Sequence, residues 1–164
     1  MGYVIRKVSE EDGQEITDIF NYFVENSFAA YPEKRVQDVF FERLKRLAGD
    51  FPIYAIVKRG GGLAGFGMLR PYHTMETFKR TAELTYFILP AHMGKGLGTK
   101  LLNILIEEAQ KKSFDTVLAS VSSLNEISLK FHLKNGFTEC GRFKRIGRKF
   151  GQNFDEVWMQ RFII

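Results

Sequence analysis

The stretch PAHMGKGLGTKLL, Pro90 to Leu102, places three glycines in five positions, Gly94, Gly96 and Gly98, directly ahead of an apolar pattern with helical spacing. Glycines at a helix start let something come closer to the main chain than a Cβ allows. A phosphate group, a tight turn and plain packing are the candidates. Upstream lies TAELTYFIL, a run apolar on nearly both faces, which reads as a strand in the middle of a sheet. Downstream the helix runs to about Lys112 with Leu97, Leu101, Ile104, Leu105 and Ala109 on its buried face, and DTVLASV then reads as another strand. One strand–helix–strand crossover of this kind implies one parallel pair.

The flanks extend this pattern. Residues 3 to 8 read as a first strand, and Ile16, Ile19, Phe20, Phe23 and Val24 mark one face of a helix beginning near Asp12. A second helix is expected after Pro32, carried by Val36, Val39, Phe40, Leu44 and Leu47 and ended by Gly49. FPIYAIVKRGGGLAGFGMLRP is a hairpin about a glycine turn, Asn125 to Asn135 a short helix, and Phe137 to Ile164 two long strands folded about Gly147 and Gly151. The implied fold is a mixed α/β one: about seven strands in a mostly antiparallel sheet with helices on both faces, in one domain spanning 1–164.

Composition narrows the function classes. A 164-residue chain with 45% hydrophobic and 26% charged residues is an ordinary soluble globular length and mix. No apolar run approaches the roughly 20 residues that span a bilayer, and Met1 to Ser9 lacks the layout of a signal peptide. A membrane role is therefore not expected. The single cysteine, Cys140, fits a reducing compartment and a cytoplasmic protein. The net charge of +5 is scattered along the chain, which suits an anionic ligand without pointing to nucleic acid. No metal-ligand spacing is present.

Three phosphate-binding patterns can be tried on HMGKGLGTK. A P-loop needs lysine and then a hydroxyl after its last glycine, and here Thr99 precedes Lys100. A dinucleotide fingerprint needs a glycine at position 99, which is threonine. The remaining pattern asks only that successive N–H groups at a helix start face a pyrophosphate, with help from the helix dipole.

ILPAHMGKGLGTKLL resembles motif A of the GNAT acetyltransferases, [QR]-x-x-G-x-[GA] after a strand. Together with IFNYFVENSF, TAELTYFILPAHMGKGLG, SLNEISLKFHLKNGF and CGRFKRIGRKFGQNFDEVWMQ, it resembles the branch of phosphinothricin and methionine sulfoximine acetyltransferases over most of the chain. The resemblance implies acetyl-CoA as co-substrate, with no metal, and a small-molecule amine as acceptor. Gly94, Lys95, Gly96, Leu97, Gly98 and Thr99 would form the pyrophosphate loop. Main-chain groups of Tyr86, Phe87 and Ile88 would pair with the pantetheine arm. Met93 stands where the motif opens with arginine or glutamine, which removes one side-chain donor.

Transfer of an acetyl group to an amine needs a base for the ammonium and a proton for the departing thiolate. Glu83, in the apolar strand, is the candidate base; its structural alternative is an ion pair with Lys79 or Arg80. Asn125, Ser128 and His132 share one helical stripe, with Leu124, Ile127 and Phe131 as the neighbouring stripe that docks the helix. The resemblance gives Asn125 a cofactor contact and His132 the role of acid or thiolate stabiliser, while Asn125 is equally a good N-cap. Ser128, Lys130 and Lys134 are further candidates on the cofactor side. On the acceptor side stand Tyr31, His73, Phe78, Lys79 and Lys149, the last in GRKFG, which resembles the branch's hairpin turn. His73 and Met75 occupy places where the branch carries arginines. An acceptor without a carboxylate, a peptide N terminus, and a non-catalytic acyl-CoA sensor remain alternatives. The branch also implies a homodimer, for which the aromatic hairpin around Phe150, Phe154 and Trp158 is a contact candidate.

Overall fold

The computed structural model describes residues 2–164. Seven strands form one sheet: β1 (Tyr3–Lys7), β2 (Ile53–Lys58), β3 (Leu63–Pro71), β4 (Thr81–Ile88), β5 (Thr116–Ser122), β6 (Thr138–Lys149) and β7 (Gln152–Phe162). Their spatial order is β1-β2-β3-β4-β5-β7-β6, and every pairing is antiparallel except β4 with β5. The four helices are α1 (Gly13–Asn26), α2 (Phe40–Ala48), α3 (Leu97–Lys111) and α4 (Glu126–Lys134). None is long and apolar enough to cross a membrane among the described residues.

Adjacent residues of a strand point to opposite faces, and β4 shows which helices lie where. Phe87 packs edge-on against Phe20 and tilted against Phe23, both of α1, with ring centroids 5.2 and 5.3 Å away. Its neighbour Tyr86 meets Phe131 of α4 on the other face, at 5.1 Å. A Cβ on Gly67 would stand 2.7 Å from Leu101 of α3, so a bare residue in β3 lets that helix settle close on the sheet. Helices thus cover both faces. β1 is tied to the start of α1 by Arg6, whose two guanidinium nitrogens donate to the two oxygens of Asp12 at 2.7 and 3.0 Å.

The order of elements is the expected one, with three local differences. The second helix begins at Phe40, not soon after Pro32, and it buries Phe41, Leu44 and Ala48 while Val39 is exposed. The cause is Asn21 of α1, whose amide accepts from Val36 N–H (2.7 Å) and donates to Val36 C=O (3.1 Å), taking both groups away from a helical ladder. Gly147 is not in the turn but inside β6, opposite Phe154, where a Cβ would lie 2.1 Å from the ring. Leu124 and Ile127 do not dock α4; they are exposed, and Leu129, Phe131 and His132 face inward. In α3 the inward face also takes in Leu102 and Ile106.

One irregularity of the sheet positions everything that follows. β4 and β5 pair only over three residues, Thr81, Ala82 and Glu83 against Thr116, Val117 and Leu118. Beyond Glu83, β4 continues to Ile88 paired with β3 alone, and β5 continues to Ser122 paired with β7 alone. The sheet is therefore split from its middle toward the C-terminal ends of the two strands. In open α/β sheets that end is where ligands sit.

Candidate active site

The split opens toward the glycine stretch. Gly94 and Gly96 have φ of +74° and +77°, the left-handed region open to glycine, and a Cβ at either would meet nothing within 4 Å. Gly96 is the N-cap of α3, and the first bond back to it is Lys100 N–H to its carbonyl, 3.1 Å. The amides of Leu97, Gly98 and Thr99 precede that bond and belong to the unpaired first turn of a helix. Gly98 is bare for another reason: a Cβ would come 2.8 Å from the Phe131 ring, so this glycine lets α4 pack against the loop. Thr99 Oγ1 donates to Asn135 Oδ1 at 3.1 Å, joining the same two helices. A turn of bare, left-handed backbone at a helix N-terminus fits an anionic diphosphate.

α4 forms the neighbouring wall. Asn125 caps it through its side-chain oxygen, which accepts from Ser128 N–H at 3.3 Å. His132 is 2% exposed, and its Nδ1 lies 2.6 Å from the Ser128 carbonyl. A carbonyl only accepts, so Nδ1 carries the proton. Nε2 is then a buried lone pair with no partner among the described residues. Burial holds the ring's pKa below its ordinary value, the Ser128 carbonyl acting in the opposite sense and less strongly. The neutral ring has no proton at Nε2 to give. Tyr86 stands beside it, Oη 3.4 Å from Ser128 Oγ, and burial pushes its hydroxyl up to about 12. Lys134 and Lys130 lie on the exposed side of α4, and Lys95 and Met93 on the exposed side of the loop.

On the opposite face of the sheet, Glu83 lies at the last pair before the split. Its ion-pair partner is Arg70, opposite it in β3, with Nη2 to Oε2 at 3.0 Å. The partners expected for it, Lys79 and Arg80, are engaged with Glu76 and Asp115 instead. Tyr31 reaches the same face from the loop after α1, donating to Ser120 Oγ at 2.7 Å, and Ser120 in turn donates to Glu156 Oε2 at 2.7 Å. Trp158 Nε1 donates to the other oxygen of Glu156 at 3.3 Å. Burial pushes Tyr31 up to about 12, and the negative charges of Glu156 and Glu83 both add to that shift, against the Ser120 contact. Tyr31 therefore stands within the field of both carboxylates. Beside them opens a pocket of about 380 Å³ lined by Tyr72, Leu118, Trp158 and the β6 residues from Cys140 to Phe143, within the usual range for small-molecule sites.

The structure gathers most of the candidate residues at the split but not all. His73 and Phe78 stack at 5.0 Å and Phe78 meets Tyr72 at 5.9 Å, forming an aromatic lip at one side of the pocket. Lys79 is directed to solvent with Glu76. Lys149 is buried, but its Nζ donates to the carbonyls of Ser27 (2.7 Å) and Ala30 (2.5 Å), so its charge serves the loop that carries Tyr31. Arg70, Ser120, Glu156 and Tyr72 were not singled out from the sequence, and Trp158 was named only as a dimer-contact candidate. A charged residue closing the apolar run AGFGML was the one available sign for Arg70. Among the described residues no group of three or more His, Cys, Asp and Glu side chains is placed to hold a metal ion.

A split mixed sheet with a glycine-rich helix start at its open end defines an acyltransferase architecture, and the family comparison agrees. The acetyltransferase (GNAT) family matches residues 16–137, and the chain belongs to that family. An L-methionine sulfoximine/L-methionine sulfone acetyltransferase of Salmonella typhimurium is 30% identical over 159 residues, covering 95% of this chain and 92% of the relative. An L-amino acid N-acyltransferase of Escherichia coli, MnaT, is 31% identical over 160 residues, covering 95% and 91%. Among solved structures, yncA of Salmonella typhimurium with its cofactor acetyl-CoA superposes with a TM-score of 0.88 at 29% identity, covering 100% of this chain and 95% of that one.

Proposed function

We propose that this chain is an acetyl-CoA-dependent N-acetyltransferase that acetylates the amino group of a small amino acid or analogue by direct transfer in a ternary complex. The parting of β4 from β5 at Glu83 carries this reading: past that carboxylate β4 has one unpaired edge and runs toward the glycine turn. In this reading the amides from Gly94 to Thr99 hold the pyrophosphate, and the free edge of β4 at Tyr86, Phe87 and Ile88 pairs with the pantetheine arm as an added strand would. Asn125 and Ser128 face the arm from α4, and Met93, Lys95 and Lys134 flank the entrance. Acetyl-CoA, when bound, supplies an acyl group activated as a thioester.

The chain's own residues supply the proton movements. The Glu83 carboxylate accepts a proton from the acceptor's ammonium, directly or through one water, on the oxygen that Arg70 leaves free, while Arg70 on Oε2 fixes its orientation. On the opposite wall, the Tyr86 hydroxyl, in contact with Ser128 and protonated at neutral pH, gives its proton to the departing thiolate, and the second proton shed by the amine nitrogen, passed through solvent, restores it. His132 takes the place of a positioning residue here rather than of the acid, since its one ring proton is held by the Ser128 carbonyl. Tyr31 and the lip of Tyr72, His73 and Phe78 close over the acceptor. In this reading one domain carries the whole reaction. Cys140, a lone exposed thiol, is consistent with a cytoplasmic enzyme, and the exposed apolar residues of β6 support a homodimer.

Release of free thiol from acetyl-CoA, followed across a panel of amino acids, sulfoximines and sulfones, tests the reading. Turnover on at least one acceptor is expected, and Glu83→Gln should lower kcat by about 100-fold or more while coenzyme A still binds. Tight cofactor binding with no turnover on any amine would instead identify a sensor.

A further inference from the structure

Glu156 lies beside the pocket through its contact with Trp158, one of the lining residues, and no cation pairs with it. Its two oxygens are held by neutral donors, Ser120 Oγ and Trp158 Nε1. Arg70 is paired with Glu83, and Arg142, which lines the pocket, with Asp155 and Glu139. Among the described residues Glu156 has no ion-pair partner. It is half-buried, so water satisfies its charge only in part. Its place in the site follows from the sheet register: Glu83 is level with Leu118, Ser120 lies two residues beyond, and Glu156 leans onto Ser120 from β7. Two strand steps along β5 are about 7 Å, and the spacing of about 5 Å between β4 and β5, wider past the split, adds to the separation of the two carboxylates.

A carboxylate without a counter-ion, facing the space where an amine is acetylated, is a receptor for positive charge. Resting on the N-acetyltransfer reading above, we propose that the acceptor is an amine carrying a second cationic group, and that Glu156 selects it. The reacting amine meets Glu83, while the second ammonium, four or five bonds away, meets Glu156 with Tyr31 and Ser120 completing its hydrogen bonds. Two sources share this chemistry, a dibasic α-amino acid and a simple diamine. They differ in the α-carboxylate, for which the donors of Arg70 not used by Glu83 are the available partners. Mono-amino acids with neutral side chains leave Glu156 unpaired inside a filled pocket, and that desolvation selects against them.

The test is kcat/KM for thiol release from acetyl-CoA with three acceptors of similar size: L-ornithine, 1,4-diaminobutane and L-norvaline. The wild-type protein should favour one or both dications over L-norvaline by about tenfold or more, with KM carrying most of the difference. L-ornithine ahead of 1,4-diaminobutane identifies the amino-acid source, and the reverse order the diamine. Glu156→Gln should bring the ratio of dication to L-norvaline close to one. Raising salt on the wild-type protein should lower the same ratio, a readout that needs no variant. A wild-type ratio near or below one overturns the proposal, as does a ratio that survives Glu156→Gln. Turnover confined to neutral amino acids leaves the acetyltransferase standing and removes only this selectivity; absence of turnover on every amine removes both.

Discussion

At the scale of single residues, the site depends on what each polar group is denied. His132 is enclosed by the rings of Tyr86, Phe131 and Phe137 and has hydrogen-bond contacts only at Nδ1, both with Ser128, so charging it inside the fold is unfavourable. Its folded pKa lies below the ordinary 6.5, so the unfolded chain binds more protons as pH falls through that value. The stability contributed by the neutral ring is present above pH 6.5 and is lost on acidification, by up to about 1.4 kcal/mol per pH unit. Urea midpoints of the wild-type protein and of His132→Phe, measured between pH 7.5 and 5.5, should diverge in slope: the variant loses the histidine's share of the acid sensitivity. Equal slopes would show that this ring is not held neutral. Legibility at this scale was partial. Glu83, His132 and the three loop glycines stand out because their neighbours in sequence make them unusual. Arg70 and Glu156 do not, because what sets them apart is a partner on another strand, Glu83 and Ser120, and that partner is fixed by register.

At the scale of elements, the glycines and apolar stripes announce where strands and helices lie, and the order of all eleven elements follows from them. What was missed was governed by contacts distant in sequence. Asn21 holds Val36 from fifteen residues away and delays α2, and Phe154 explains Gly147 from the adjacent strand. Lys149 is a further case. From the end of β6 it reaches the 27–30 loop, more than a hundred residues earlier, and its ammonium bridges two carbonyls there with the Phe150 ring 4.9 Å away. That loop delivers Tyr31, which stacks on Phe154 at 5.7 Å. Lys149→Met keeps the volume and removes both donors, leaving two carbonyls to find other partners. Steady-state kinetics should show KM for the acceptor raised by about tenfold with KM for acetyl-CoA little altered. An equal rise in both would mean that the lysine supports the whole fold rather than the Tyr31 loop.

For the molecule as a whole, the sheet ends on one side at β6, a strand of twelve residues exposed along nearly its full length. Phe143 and Ile146 are 55% and 60% exposed there, and Phe150, in the turn that follows, is 48% exposed. A long edge bearing apolar side chains is a pairing surface unless something covers it, and the positive charges on Lys144, Arg145 and Arg148 only partly guard it. The homodimer proposed above would use this hairpin. Sedimentation at micromolar concentration should report twice the chain mass of 18.9 kDa for the wild-type protein, and Ile146→Lys should shift it toward the single-chain mass. A wild-type protein that sediments as one chain would rule the pairing out. The net charge of +5 belongs to this scale too: it favours anionic coenzymes at long range without defining where they land.

The one-sided pairing of β4 past Glu83 also has a dynamic consequence. Inner strands of a sheet ordinarily shield their amide protons from solvent on both edges, yet half of this central strand has a neighbour on one edge only. Deuterium should enter the middle of the protein through this seam before it enters the flanking strands, and a bound coenzyme lying along the seam should close it.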